Sequence, residues 1–131
     1  MPFAIQASNA DSYQRKKGGI VVAREIVQAK SQSDLERYFP VMKELRPHLN
    51  LQEYLSIYEK AHQTNSYQIV AIEENGKVLA VMGYRVLSDF VRGQHLYIDD
   101  LIATESARSQ GLGAELLKFA EASQESLTAK F

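Results

Sequence analysis

The stretch His95-Leu96-Tyr97-Ile98-Asp99-Asp100-Leu101-Ile102-Ala103, followed closely by Arg108-Ser109-Gln110-Gly111-Leu112-Gly113-Ala114, constrains this chain more than any other. It reads as a strand that feeds a glycine turn and opens a helix. At such a junction free backbone N–H groups and the positive end of the helix dipole converge, which suits a phosphate or pyrophosphate. An anionic cofactor is therefore the first expectation. The strand before the turn sets two adjacent carboxylates, Asp99 and Asp100, in an otherwise apolar run. Burial there is costly unless something pairs with them or uses them.

With 131 residues, 45% of them hydrophobic and 24% charged, the chain is read as one globular domain with a core of its own. Fifteen basic against sixteen acidic side chains leave a net charge of −1, with no basic excess of the kind nucleic-acid binding needs. No nucleic-acid partner is expected. The absence of cysteine removes disulfides, thiolate nucleophiles and zinc-thiolate sites. No apolar run approaches the ~20 residues needed to span a bilayer, so no membrane partner is expected and the cytoplasm is the expected compartment.

Taken in order, residues 1–18 form a polar tail or arm, with a basic cluster at Arg15-Lys16-Lys17, and residues 19–131 form the domain. A first strand is predicted from Ile20 to Val27. Ser31 to Asp34 supply N-cap chemistry for a helix carrying Leu35, Tyr38, Phe39, Met42 and Leu45. Pro40 is expected to kink that helix or restart it, and Arg46-Pro47 to close it. Asn50 and Glu53 form a capping box for a second helix, to about Gln63. Two strands then flank Asn75-Gly76, a strong hairpin signal, and a polar connection from Ser88 to Gly93 leads to the strand at His95. After the glycine turn, Leu112, Leu116, Phe119 and Ala120 share one helix face, with Glu115 and Lys118 as an exposed pair. The three histidines, His48, His62 and His95, have no ligand spacing, and no metal is expected.

The turn lacks the spacing and lysine of a P-loop, and it comes too late, after a meander, for a dinucleotide fingerprint. Taken alone, Gly111 and Gly113 serve equally well as a tight strand-to-helix turn. The ordered set Leu-x-Ile-Asp-Asp-Leu-Ile-Ala, a short Thr104-Glu105-Ser106 connection and Arg108-x-x-Gly111-x-Gly113-Ala114 resembles the GNAT superfamily of N-acetyltransferases. The similarity runs from about Ile20 to Ser123, and Leu45-Arg46-Pro47 also resembles many bacterial members.

The resemblance implies an α/β fold, with a mixed, mainly antiparallel sheet flanked by helices in the order β-α-α-β-β-β-α. It implies acetyl-CoA as acetyl donor and direct attack by a primary amine of a small molecule or a lysine-like side chain. Main-chain groups of Leu101, Ile102 and Ala103 would receive the pantetheine arm. Those of Arg108, Ser109, Gln110, Gly111, Leu112, Gly113 and Ala114 would receive the pyrophosphate. A bulge in the strand would free a backbone N–H to polarise the thioester carbonyl. Asp99 and Asp100 are the implied catalytic residues, as base and as holders of a cationic acceptor; the alternative is that one of them caps a loop or pairs with Arg85 or Arg24. Successive strand residues face opposite sides, so only one of the pair should enter the acceptor cleft unless a bulge re-aims its neighbour.

Members of this superfamily continue past the third helix with a fifth strand, a fourth helix and a hairpin, none of which is legible here, so the fold is expected to be C-terminally truncated. Three accounts follow: a fragment of a longer enzyme, a short form completed in a homodimer, or a non-catalytic oligomerising or binding module on the same scaffold. The acceptor itself is not specified by the fold.

Overall fold

The computed structural model describes residues 13–17 and 20–128. Five strands form one sheet: β1 (Tyr13–Lys17), β2 (Ile20–Gln28), β3 (Gln68–Glu74), β4 (Lys77–Asp89) and β5 (Gly93–Ala103). They lie in sequence order and every neighbouring pair is antiparallel. Helices α1 (Gln32–Leu45) and α2 (Leu51–Asn65) connect β2 to β3, and α3 (Leu112–Thr128) follows β5 after a 3-10 turn at Glu105–Ala107. From β2 onward this is the expected order of elements. The stretch read as an arm contributes β1, paired with β2; residues 1–12, Gly18, Gly19 and 129–131 lie outside the described residues.

Period-two alternation along the strands builds a core on each face of the sheet. Ile26, Val70, Ile72, Met82, Tyr84 and Val86 face Leu112, Leu116 and Ala120 of α3. Ile69, Ala71 and Val81 face Leu35, Tyr38, Val41, Met42 and Tyr54 of the helix pair. The helix ends follow local chemistry: Asp34 N donates to Ser31 Oγ at 3.2 Å, and Asn50 and Glu53 cap one another at 2.8 and 3.1 Å.

Pro40 neither stops nor restarts α1, which runs through it to Leu45. The proline is exposed, as is Glu36 one turn earlier, so the carbonyl that loses its N–H partner stands on the solvated side. The connection after Ser88 is a tight hairpin, because Asp89 Oδ1 accepts the Val91 and Arg92 N–H groups at 3.0 and 2.7 Å. Asn75 and Gly76 both take positive φ, 52° and 80°, as an Asn-Gly hairpin requires. Glu115 is not an exposed partner of Lys118; its carboxylate meets Arg24.

Two buried tyrosines tie α1 and α2 down, Tyr38 Oη donating to Val27 O at 3.1 Å and Tyr54 Oη to Leu35 O at 2.9 Å. Burial pushes the hydroxyls of Tyr38, Tyr54 and Tyr84 well above the ordinary tyrosine range. A raised folded value means that stability is intact below the unfolded value of about 10 and is lost as pH climbs beyond it. The urea midpoint should thus hold level from neutral pH to about pH 9 and fall steeply above about pH 10. Tyr38→Phe should shallow that fall while lowering the neutral-pH midpoint, as followed by circular dichroism.

Candidate active site

The ladder between β4 and β5 is interrupted at one place. Gly83 pairs with Asp100 and Tyr84 with Ile98, so Asp99 is an inserted residue with no register partner. Up to the bulge, Leu96 and Ile98 point toward α3 and Asp99 toward the helix pair; after it, Leu101 and Ala103 resume the α3 side. Asp100 therefore falls on the same face as Asp99. Both carboxylates line one cleft of about 450 Å³, with Arg46, His48, Leu49, Tyr58, Tyr67 and Arg85 among its walls.

Each carboxylate is held by an arginine. Arg85 Nε and Nη2 fork onto the two oxygens of Asp99 at 2.8 and 2.9 Å, while the guanidinium lies 4.8 Å from the Tyr97 ring centroid. Arg46 directs Nε and Nη2 to a single oxygen of Asp100, at 3.0 and 2.8 Å, and Tyr67 Oη donates to the other at 2.7 Å. The Tyr67 hydroxyl is pushed far up by burial first and then by the Asp100 charge, so it remains a protonated donor at neutral pH. It reaches Asp100 by crossing Gly83, where an added Cβ would stand only 1.8 Å from Tyr67 Oη. A glycine inside a strand here marks a close approach.

Past β5 the chain turns through the 3-10 segment onto α3. Glu44 of α1 accepts from Thr104 Oγ1 at 2.5 Å and from Glu105 N at 2.9 Å, fixing the connection. Arg108 Nε donates to Ala103 O at 3.2 Å. Ser109 and Gly111 take positive φ, 72° and 74°. The turn is anchored from below by Arg24 of β2, a fully buried guanidinium. Arg24 bonds Gln110 Oε1 at 3.1 Å, Glu115 Oε1 at 3.1 Å and Glu74 Oε1 at 2.9–3.0 Å. Leu112 packs in the core, and the N–H groups of α3 before Glu115, the first to bond back to Gly111 O, have no acceptor within the helix.

The residues singled out in the sequence thus fall into two neighbouring groups: Asp99 and Asp100 in the cleft, and Arg108 to Ala114 at the start of α3. Leu101, Ile102 and Ala103 join them along β5, the last strand of the described sheet. Arg24 serves the turn, not the aspartates, whereas Arg85 does pair with Asp99. Tyr84 packs in the α3-side core. His95 is buried near the β4–β5 hairpin and is not among the cleft walls. Sequence reasoning missed Arg46, Tyr67, Gly83 and His48 as site residues. Gly83 left a signal as an isolated glycine in an apolar strand, and Arg46 left one only as part of Leu45-Arg46-Pro47.

Gly83→Ala should destabilise the fold by about 1–3 kcal/mol, the usual range for overpacking, because the Tyr67 ring has to leave Asp100. In a Tyr67→Ala background the same substitution should cost much less; urea titrations of the four proteins measure this coupling.

Residues 29–128 match the acetyltransferase (GNAT) family. Over 93 residues the chain is 36% identical to the uncharacterized N-acetyltransferase YhdJ of Bacillus subtilis (strain 168), an alignment that takes in 71% of this chain and 66% of that protein. The chain thus spans just under two thirds of that relative's length. In fold it is similar to glucosamine-6-phosphate N-acetyltransferase from Arabidopsis thaliana, with a TM-score of 0.63 and 22% identity over 79% of this chain and 75% of that one. A second likeness is to an aminoglycoside N-acetyltransferase in complex with CoA, with a TM-score of 0.64 and 20% identity over 82% of this chain and 70% of that one. The family match runs from the end of β2 through α3 and includes both the carboxylate cleft and the glycine turn, and on that basis the chain belongs to the acetyltransferase (GNAT) family.

Proposed function

We propose that this protein binds acetyl-CoA at the start of α3 and transfers its acetyl group to a primary amine held in the carboxylate cleft, on a small molecule or a lysine-like side chain. One observation carries the reading. Gly113 lies in the first turn of α3 without positive φ, so the backbone does not require glycine, and glycine in a helix is worse than alanine by about 1 kcal/mol. What glycine leaves there is room: beyond the adjoining residues and the helix's own backbone, no described atom lies within 4 Å of a Cβ added at Gly113 or at Gly111. Open space beside N–H groups without helix acceptors at a helix N-terminus fits a pyrophosphate.

Acetyl-CoA supplies an acetyl group activated as a thioester. Main-chain groups from Arg108 to Ala114 hold its pyrophosphate, and the outer edge of β5 at Leu101, Ile102 and Ala103 offers N–H and C=O groups to the pantetheine arm. The bulge at Asp99 leaves main-chain N–H outside the β4 ladder to polarise the thioester carbonyl. Asp99 and Asp100 hold the ammonium form of the acceptor and take one proton, so that the nitrogen lone pair can form the new C–N bond; the C–S bond breaks, CoA leaves as its thiolate, and the second proton shed by the nitrogen neutralises it. Tyr67, Arg46 and Arg85 keep the two carboxylates oriented. A homodimer also belongs to this reading, supported by the groove that Leu96, Ile98 and Leu117 line beside the outer edge of β5.

Acetyl-CoA at millimolar concentration should raise the melting temperature by several degrees, since a ligand at 100 times its Kd adds about 2.7 kcal/mol to the folded state. Gly113→Ala should melt at or above the parent temperature yet lose most of that rise. An unchanged rise in the variant, or none in the parent, would sink the reading and leave a non-catalytic module on the same scaffold. Separately, Asp99→Asn and Asp100→Asn should each lower kcat, by about 10²–10⁴-fold for the one acting as base, with the acetyl-CoA melting shift preserved. Thiol release from acetyl-CoA in the presence of an amine measures this.

A further inference from the structure

We infer that the acceptor is a zwitterion, a free amino acid whose amine enters the cleft beside Asp99 and Asp100 and whose carboxylate is received by Arg46, with Arg85 adjoining. The inference rests on the acetyltransferase reading for what happens to the amine, but its electrostatic part stands on the cleft alone. Two adjacent aspartates in a strand suggest a site for a polycation. In the folded protein each is matched by an arginine, so the charged walls carry two negative and two positive groups. A polyamine entering such a cleft would have to displace two guanidinium groups and leave them unpaired. A ligand with one positive and one negative end exchanges ion pairs without leaving a net charge behind.

The arginines are arranged for this exchange. Arg46 spends two N–H groups on one oxygen of Asp100, and Tyr67 holds the other oxygen, so Asp100 stays oriented if the guanidinium turns to a ligand. Its remaining donors, at Nη1 and the second position of Nη2, are enough for a bidentate carboxylate contact. Arg85 meets Asp99 through Nε and Nη2 and likewise has Nη1 in hand.

Depth gives the ligand a direction. The Asp100 side chain is 13% exposed and that of Arg46 is 45% exposed, so the ammonium goes in and the carboxylate stays at the mouth. Inward placement brings the amine to the β5 bulge, next to the strand edge that receives the pantetheine arm. Leu49, Ile57, Tyr58 and Met42 offer an apolar wall to the amino acid's own side chain.

The test pairs free amino acids with their carboxamides, which keep the shape and lose the negative charge. Glycine, alanine, methionine, phenylalanine and lysine, each as acid and amide, together with cadaverine and spermidine, are titrated into the protein by calorimetry, with and without CoA. At least one acid should bind tenfold or more tightly than its amide and than either polyamine. Arg46→Gln should erase that preference by weakening the acid alone, and Arg46→Lys should restore part of it. No acid preferred over its amide, or a polyamine binding tightest, overturns the inference. The same ligands are then assayed for thiol release from acetyl-CoA. Acid-selective binding without acetyl-CoA binding would fault the acetyltransferase reading and leave the zwitterion site standing. Acetyl-CoA turnover with equal rates on acid and amide would fault the zwitterion and keep the acetyltransferase.

Discussion

Between Gly83 and Tyr84 the ladder joining β4 to β5 takes up an extra residue, Asp99, and the alternation of β5 skips a step. Without the insertion, Asp99 and Asp100 would stand on opposite faces of the sheet, and one of them would point into the apolar core under α3. With it, both carboxylates share the cleft beneath the helix pair, while Leu101 and Ala103 still reach the α3-side core. The bulge also keeps the costs of desolvation low. Each carboxylate meets an arginine at hydrogen-bonding distance, and Asp100 has a tyrosyl donor as well. Gly83 is the partner of this arrangement on β4, since only a residue without Cβ lets the Tyr67 ring cross to Asp100.

A second constraint sits on the opposite face. Arg24 is fully buried and joins β2 to the end of β3 through Glu74, to the glycine turn through Gln110 and to α3 through Glu115. A guanidinium out of water is tolerable only with its acceptors in place, so these groups fix one another's positions. Glu44 does the same from the helix-pair side by capping the segment at Thr104 and Glu105. The turn at Ser109 to Gly111 is therefore held between two packed layers, and the N-terminus of α3 is presented at a defined point beside the end of β5.

Much of the fold was legible because its signals are local. Ser31, Asn50 and Asn75-Gly76 act within three or four residues of chain, and all form the cap or turn their chemistry favours. The apolar spacing of Leu112, Leu116 and Ala120 likewise became the buried face of α3. Pro40 does not restart α1, because its missing N–H falls on the exposed side of the helix, and exposure is a tertiary property. Tyr13–Lys17, a basic, polar segment with no strand signal of its own, forms a strand by pairing with β2. Glu115 was legible as a helix-surface charge, yet its partner is 91 residues away.

The site divides the same way. By itself the sequence determined the order of elements and the family, and it singled out the run from Asp99 to Ala114 that carries the proposed chemistry, because those depend on spacing along one strand, one turn and one helix start. Tertiary structure alone decided that Asp99 and Asp100 share a face, since register is a relation between two strands. It also decided that Arg46, Tyr67 and Arg85, drawn from the cap after α1, the residue before β3 and the middle of β4, converge on those carboxylates. An acidic pair that reads along the chain as a site for cations thereby becomes a cleft of balanced charge, because the neutralising arginines are neighbours in space and not in sequence.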